Sequence, residues 1–191
     1  MRIVGGHWRS RRIAFPFVEG VRPTPDRVRE TLFNWLGTRV VGTRCLDLFA
    51  GSGALGLEAA SRGASHVTLI DHHPRVARAL RESVQTLGAE NVEVHRGNAL
   101  AWLECAREAY DVVFLDPPYA ARDLLKSCIA LIAANGILSA GGRLYVETVA
   151  EKGLPGLPEG WRTLRSGRAG EVAFGLVAPV EVSPESTGEL V

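Results

Sequence analysis

Cys45-Leu46-Asp47-Leu48-Phe49-Ala50-Gly51-Ser52-Gly53-Ala54-Leu55-Gly56 sets a short apolar run directly before a glycine-rich turn. Gly51, Gly53 and Gly56 fit the spacing GxGxxG, and residues 54–62 read as a helix that Gly63 closes. A strand, a glycine turn and a helix in that order make the first unit of a nucleotide-binding sheet. The glycines let the backbone turn sharply and come close to a ligand. In a chain with 21 glycines the spacing alone says little, so the reading depends on its neighbours. His66-Val67-Thr68-Leu69-Ile70 is a second apolar run, and it ends in Asp71, twenty residues beyond Gly51. An acid at the end of the second strand accepts hydrogen bonds from ribose hydroxyls. Turn and acid together predict a site for a nucleoside-type cofactor.

The alternation continues on both sides. Upstream, Thr24 reads as an N-cap, Pro25 as the first helical residue and Asp26 as a first-turn acid. Val28, Leu32, Trp35 and Leu36 share one face of that helix before Gly37. Downstream, Pro74 opens a helix carrying Val76, Leu80, Val84 and Leu87. Strands are expected at 92–95, 112–115 and 143–149, with helices at 100–107 and 124–134 between them. Residues 161–164 and 172–177 read as a closing hairpin. The expected fold is α/β: a Rossmann-like, mostly parallel seven-stranded sheet with helices on both faces and a C-terminal antiparallel hairpin. Residues 1–20 form a basic arm or hairpin around Gly5-Gly6, 21–178 the main domain, and 179–191 a disordered tail.

The chain has 191 residues, 46% of them hydrophobic and 23% charged, which suits one domain with short appendages. Cys45, Cys105 and Cys128 lie in apolar runs without CxxC spacing, so buried free thiols are expected rather than disulfides or zinc. No run approaches the roughly 20 apolar residues that span a bilayer, and the amino end lacks a signal-peptide core. A cytoplasmic location follows. The net charge of +1 hides an asymmetry: residues 1–44 hold nine arginines against three acids. That end is an electrostatic candidate for a polyanion, or else a solvated, inert face.

Asp47, four residues before Gly51, would repel the pyrophosphate of a dinucleotide. It would hold the cationic amino-acid portion of S-adenosyl-L-methionine, or alternatively cap the turn. The cofactor candidates are Asp47, Phe49, Ala50, Gly51, Ser52, Gly53, Asp71, His72, Asn98 and Ala99. Asn98 has two readings, a partner for adenine and a cap for the next helix. The histidines lack metal spacing, and no metal site is expected. Asp116-Pro117-Pro118-Tyr119 directly follows the fourth apolar strand, where two prolines fix a rigid corner beside the cofactor crevice. These four are the catalytic candidates. The Asp116 carboxylate and Pro117 carbonyl would orient an exocyclic amine, and Tyr119 would stack on an extruded base. The reaction expected is an in-line methyl transfer governed by positioning and electrostatics.

The order of 47–64, Asp71 and 116–119 resembles class I S-adenosylmethionine-dependent methyltransferases that methylate amines. Residues 22–36, RPTPDRVRETLFNWL, together with MRIVGG at 1–6 and Tyr145-Val146-Glu147, narrow this further. They resemble the bacterial 16S ribosomal RNA guanine-N2 methyltransferases of the RsmD-like family. The resemblance implies methylation of one guanine of 16S rRNA on its exocyclic amine, within a partly assembled small subunit, by a monomer. The family usually has Asp at the position of Asn98, which implies a modest loss of cofactor affinity. Arg9, Arg11, Arg12 and Arg22 then become candidate rRNA contacts, with Trp8 stacking nearby. Two rivals are a DNA adenine or cytosine amino-methyltransferase and a catalytically silent RNA-binding subunit.

Overall fold

The computed structural model describes residues 1–15, 24–118 and 122–180. Helix α1 (Asp26–Leu36) precedes β1 (Arg44–Asp47), α2 (Gly56–Ser61), β2 (His66–Asp71), α3 (Pro74–Leu87) and β3 (Val92–Arg96). Then come α4 (Ala99–Cys105), β4 (Tyr110–Leu115), α5 (Arg122–Ala134), β5 (Leu138–Val149), β6 (Trp161–Ala169) and β7 (Val172–Pro179). One sheet holds all seven strands in the order β3-β2-β1-β4-β5-β7-β6. Strands β1 to β5 pair in parallel, and β7 returns antiparallel between β5 and β6. Strand order reverses between β1 and β4, so a crevice opens there at the carboxyl ends.

Both faces of the sheet are covered, which is why the central strands are apolar at consecutive positions. Cys45, Val67, Leu69, Val112 and Phe114 pack with α1, α2 and α3. Leu46, Leu48, Ile70, Val113 and Leu115 pack with α4 and α5.

The amino end is part of the first core. Arg2 and Arg12 bridge as antiparallel neighbours, and Ile3, Trp8 and Ile13 are buried against α1 and α2. Trp8 is only 8% exposed and its amide donates to the Ser61 hydroxyl, so its ring is core rather than a free stacking face. Glu58 of α2 anchors this segment. Its fully buried carboxylate accepts the amides of Val4 (2.8 Å) and Gly5 (2.7 Å) and pairs with Arg29 (3.4 Å) and Arg62 (2.8 Å). At Gly6, φ is +77° and a Cβ would sit 1.9 Å from the Ser61 carbonyl oxygen, so only glycine permits this approach.

Several expected boundaries shift. Pro25 is the N-cap of α1 and makes no side-chain cap; Thr24 is occupied elsewhere. Helix α2 starts at Gly56 rather than 54, because the Gly53 amide first closes a turn on the Ala50 carbonyl. Strand β5 starts at Leu138, its pairing with β4 interrupted by an irregularity between Tyr110 and Val112. Strand β6 runs on to Ala169 although Arg165, Ser166 and Arg168 break its alternation, since an edge strand needs little apolar surface. Cys45 and Cys128 are buried, and burial pushes both thiols up to about 12. Cys105 departs from expectation: it ends α4 on the exposed side. The Val180 amide donates to the Gly160 carbonyl (2.6 Å), so the fold extends past the expected boundary at 178. Residues 181–191 lie outside the described residues.

Candidate active site

Parallel pairing carries the end of each apolar run to one edge of the sheet. Asp47 ends β1 and Asp71 ends β2. Asp116 follows β4 directly, and because Leu115 pairs with Val146, it is level with Glu147 of β5. Four acids from four neighbouring strands therefore meet along the crevice.

Asp47 is 1% exposed. Its Oδ2 accepts the Gly56 amide at 3.0 Å, which fixes the start of α2. Its Oδ1 is buried and makes no hydrogen bond among the described residues. Burial pushes the carboxyl up to about 7. The Gly56 and Phe49 amides favour its charge, and Asp71 opposes it. A buried carboxylate oxygen left unpaired at a crevice suits a cation that brings its own donor or charge.

Asp71 holds the glycine turn. Its Oδ2 accepts the Gly51 amide (3.0 Å) and its Oδ1 the His73 amide (2.8 Å), and each oxygen keeps a second lone pair. Gly51 and Gly53 have φ of +51° and +77°, the left-handed region that the turn requires. The Ser52 hydroxyl meets the Met1 thioether at 3.5 Å, which ties the turn to the amino end.

Phe49, Asp71, His72, Asn98, Ala99 and Pro118 line a cavity of about 200 Å³. Five cofactor candidates and one residue of the proline corner are thus brought together. The Asn98 carbonyl caps α4, accepting from Leu100 (2.9 Å) and Ala101 (3.2 Å), while the residue remains exposed at the cavity. The capping reading holds, and it leaves the side-chain amide available as a donor. His72 is an exposed residue 3.8 Å from Asp71, and His73 caps α3.

Asp116 sits above the usual carboxylate range. Burial raises it first, then the charges of Glu147 and Asp47, while a hydrogen bond from Thr24 at 3.4 Å favours its ionised form. Glu147 is buried and accepts the Tyr145 hydroxyl at 2.9 Å. Pro117 is buried and Pro118 exposed. Tyr119 lies outside the described residues. Thr24 and Glu147 are the site residues that motif reading missed. Thr24 resembled a helix cap, and Glu147 stood two residues after Tyr145 with no turn to mark it.

On the outer surface Arg9 and Arg12 are exposed, while Arg11 donates to the Thr86 carbonyl of α3 at 2.7 Å. Arg22 lies outside the described residues.

Residues 1–178 match the family described as Conserved hypothetical protein 95. The chain belongs to this family. It is 47% identical over 176 residues to Ribosomal RNA small subunit methyltransferase D of Escherichia coli strain K12, covering 92% of this chain and 88% of that protein. The putative rRNA methyltransferase YlbH of Bacillus subtilis is 35% identical over 159 residues, covering 81% of this chain and 86% of the relative. A solved structure of the putative methyltransferase yhhF from Escherichia coli superposes with a TM-score of 0.86 at 46% identity, covering 94% of this chain and 97% of the other. The sheet is that of class I methyltransferases, as members of the family share it.

Proposed function

We propose that the chain methylates the exocyclic N2 amine of a guanine in small-subunit ribosomal RNA, using S-adenosylmethionine. The observation that carries this reading is the convergence of Asp47, Asp71 and Asp116 on one crevice in a chain so similar to a named ribosomal RNA methyltransferase. Asp47 faces the positive amino-acid portion of the cofactor, whose ammonium supplies the donor its Oδ1 lacks. Asp71 receives the ribose hydroxyls on its spare lone pairs, and Phe49, His72, Asn98 and Ala99 enclose the adenosine. When bound, S-adenosylmethionine supplies an electrophilic methyl group on its sulfonium. The Asp116 carboxylate and Pro117 carbonyl accept the two amine hydrogens, orienting a nitrogen whose lone pair is delocalised into the ring. That work is positioning and electrostatics, and it requires no strong base. Tyr119 offers a face for the extruded guanine.

Residues 1–15 reach RNA phosphates through Arg9, Arg11 and Arg12, with Arg22 following. Because the core side of this segment is packed, its arginines stand on a fixed surface. Replacing Arg9, Arg11 and Arg12 together is expected to flatten the dependence of log affinity on log salt by about 0.7 for each phosphate no longer neutralised on single-stranded RNA. An unchanged slope in filter binding would remove the segment from the interface. We further read the protein as a cytoplasmic monomer that acts on a partly assembled subunit and requires no metal.

The direct test supplies tritiated S-adenosylmethionine with undermethylated small-subunit particles, naked rRNA and duplex DNA in parallel, then maps the label to a base. N2-methylguanine from an rRNA sample is the expected product. Label confined to DNA would move the reading to an amino-methyltransferase of DNA. No label with intact cofactor binding would favour a silent RNA-binding subunit.

A further inference from the structure

Thr24 precedes α1 and is 5% exposed, yet it leaves the helix uncapped. Its hydroxyl instead donates to Asp116 Oδ2, 92 residues away, at 3.4 Å. That is long for a hydroxyl–carboxylate bond, as such contacts often are before substrate arrives. The backbone of Thr24 is held in turn. Its carbonyl accepts Arg29 Nε at 3.2 Å. Arg29 is itself 1% exposed and makes three further hydrogen bonds, to Glu58, Asp26 and the Arg2 carbonyl. A guanidinium buried this deeply gains little stability over an apolar residue. What it does provide is a fixed fork joining three segments of chain.

We propose that Thr24 is a positioning residue that fixes the Asp116 carboxylate toward the target amine, and that Arg29 couples this donor to the seating of the amino-terminal segment. The inference rests on the reading of Asp116 as the group that orients the amine. With Oδ2 engaged by Thr24, the carboxylate is held in one rotation and Oδ1 is left for the substrate. Among the described residues, the groups acting on Asp116 are Glu147 from β5 and Asp47 from β1, which oppose its charge, and Thr24, which favours it. Through Arg29, the same donor shares a guanidinium with Glu58, the anchor of Val4 and Gly5. A displaced amino-terminal segment would thus loosen Thr24 and misalign the acid.

The test uses the full chain, tritiated S-adenosylmethionine and undermethylated small-subunit particles across the acid and neutral pH range. Wild type, Thr24→Val, Thr24→Ala, Thr24→Ser and Arg29→Lys are compared, with cofactor affinity read separately by calorimetry. Removing the hydroxyl in the Val and Ala variants is expected to lower kcat by about tenfold, the effect of one charge-assisted hydrogen bond. Cofactor Kd and the KM for particles stay within about twofold. The acid limb of the rate profile moves to higher pH, because the lost donor favoured the ionised carboxylate. Serine, which keeps the hydroxyl, restores both rate and limb. Arg29→Lys keeps a charge for Glu58 but not the fork, so its acid limb moves the same way. Circular dichroism over the same pH range shows whether each variant stays folded across the limb, so that a moved limb reports the carboxylate and not acid unfolding.

Wild-type kcat and limb in Thr24→Val and Thr24→Ala would overturn the positioning role, as would a serine variant as slow as valine. An unmoved limb in Arg29→Lys would overturn the coupling. Absence of label from wild type would overturn the proposed function and this inference together. Label from wild type with indifferent Thr24 variants would overturn the inference alone.

Discussion

Asp116→Ala is expected to lose turnover by about a thousandfold while its cofactor dissociation constant stays within about threefold of wild type. The asymmetry follows from where the carboxylate sits. It follows β4 beside the proline corner and accepts a hydrogen bond from Thr24, and burial together with Glu147 and Asp47 holds its ionisation above the usual range. A group held so far above its usual range costs the protein stability, so alanine is expected to leave the fold intact and to relieve repulsion. In the reaction proposed above the loss is then one of chemistry, because the amine would lose its acceptor and its orientation. Single-turnover transfer of label measures the first quantity and calorimetry the second. Asp71→Ala reverses the pattern, raising the cofactor dissociation constant first, because that carboxylate holds the Gly51 amide and lines the cavity. Equal losses of binding and turnover in Asp116→Ala would show that the acid serves the cofactor instead of the amine.

Asp47→Asn is expected to show the opposite signature: a more stable protein that scarcely binds cofactor. Folding carries the Asp47 carboxyl from its ordinary 3.8 up to about 7. A folded value above the unfolded one means that stability is full below the unfolded value and is lost as pH rises toward the folded one. At about 1.4 kcal/mol per unit, the deficit above neutrality is roughly 4 kcal/mol, an upper bound for what a neutral isostere regains. Asparagine keeps an oxygen for the Gly56 amide and removes the charge. Urea unfolding at about pH 8 is expected to show a gain of roughly 2–4 kcal/mol that vanishes near pH 4. If Asp47 holds the cofactor's cation as proposed, affinity is expected to drop by about a hundredfold, from loss of its buried partner. In wild type, affinity weakens by up to about tenfold per pH unit below neutrality, because binding a cation requires the ionised form, and the asparagine variant loses this dependence. Unaltered stability above neutrality in the variant would show that Asp47 is not the strained group described.

The placement of those parts of the candidate site written in consecutive residues was legible from the chain. The turn at 51–56, the acid closing the second apolar run and the proline corner each carry their geometry in spacing, because a parallel strand must deliver its last residue to the same edge. The alternating faces of β1 and β2 were likewise fixed by covered sheet surfaces. What escaped reading depends on contacts across long separations. Thr24 meets Asp116 over 92 residues, and the Gly5 amide meets Glu58 over 53. Thr24-Pro25-Asp26 satisfies every local rule for a helix start, and only the approach of β4 diverts the hydroxyl. Glu147 became part of the site through the β4–β5 register, which an irregularity after Tyr110 hides from any count along the chain. Trp8 among arginines suggested a surface aromatic, whereas α1 and α2 present it with a hydrophobic wall.

Glu58 carries a different kind of constraint, one that bears on how the gene can drift. Among the described residues, four donors converge on its two oxygens: two main-chain amides and two guanidinia. Glutamine would turn an NH₂ toward groups that are themselves donors, and aspartate would fall a methylene short of the Val4 and Gly5 amides. No single substitution restores the set, since relief would need simultaneous change at Arg29, at Arg62 and in the main chain. An acid that the fold cannot readily replace therefore stands outside the crevice, whereas Asp116, indispensable to the chemistry proposed, is one the fold is expected to tolerate losing. Lineages would be expected to forfeit the reaction more readily than the buried anchor beneath the amino end.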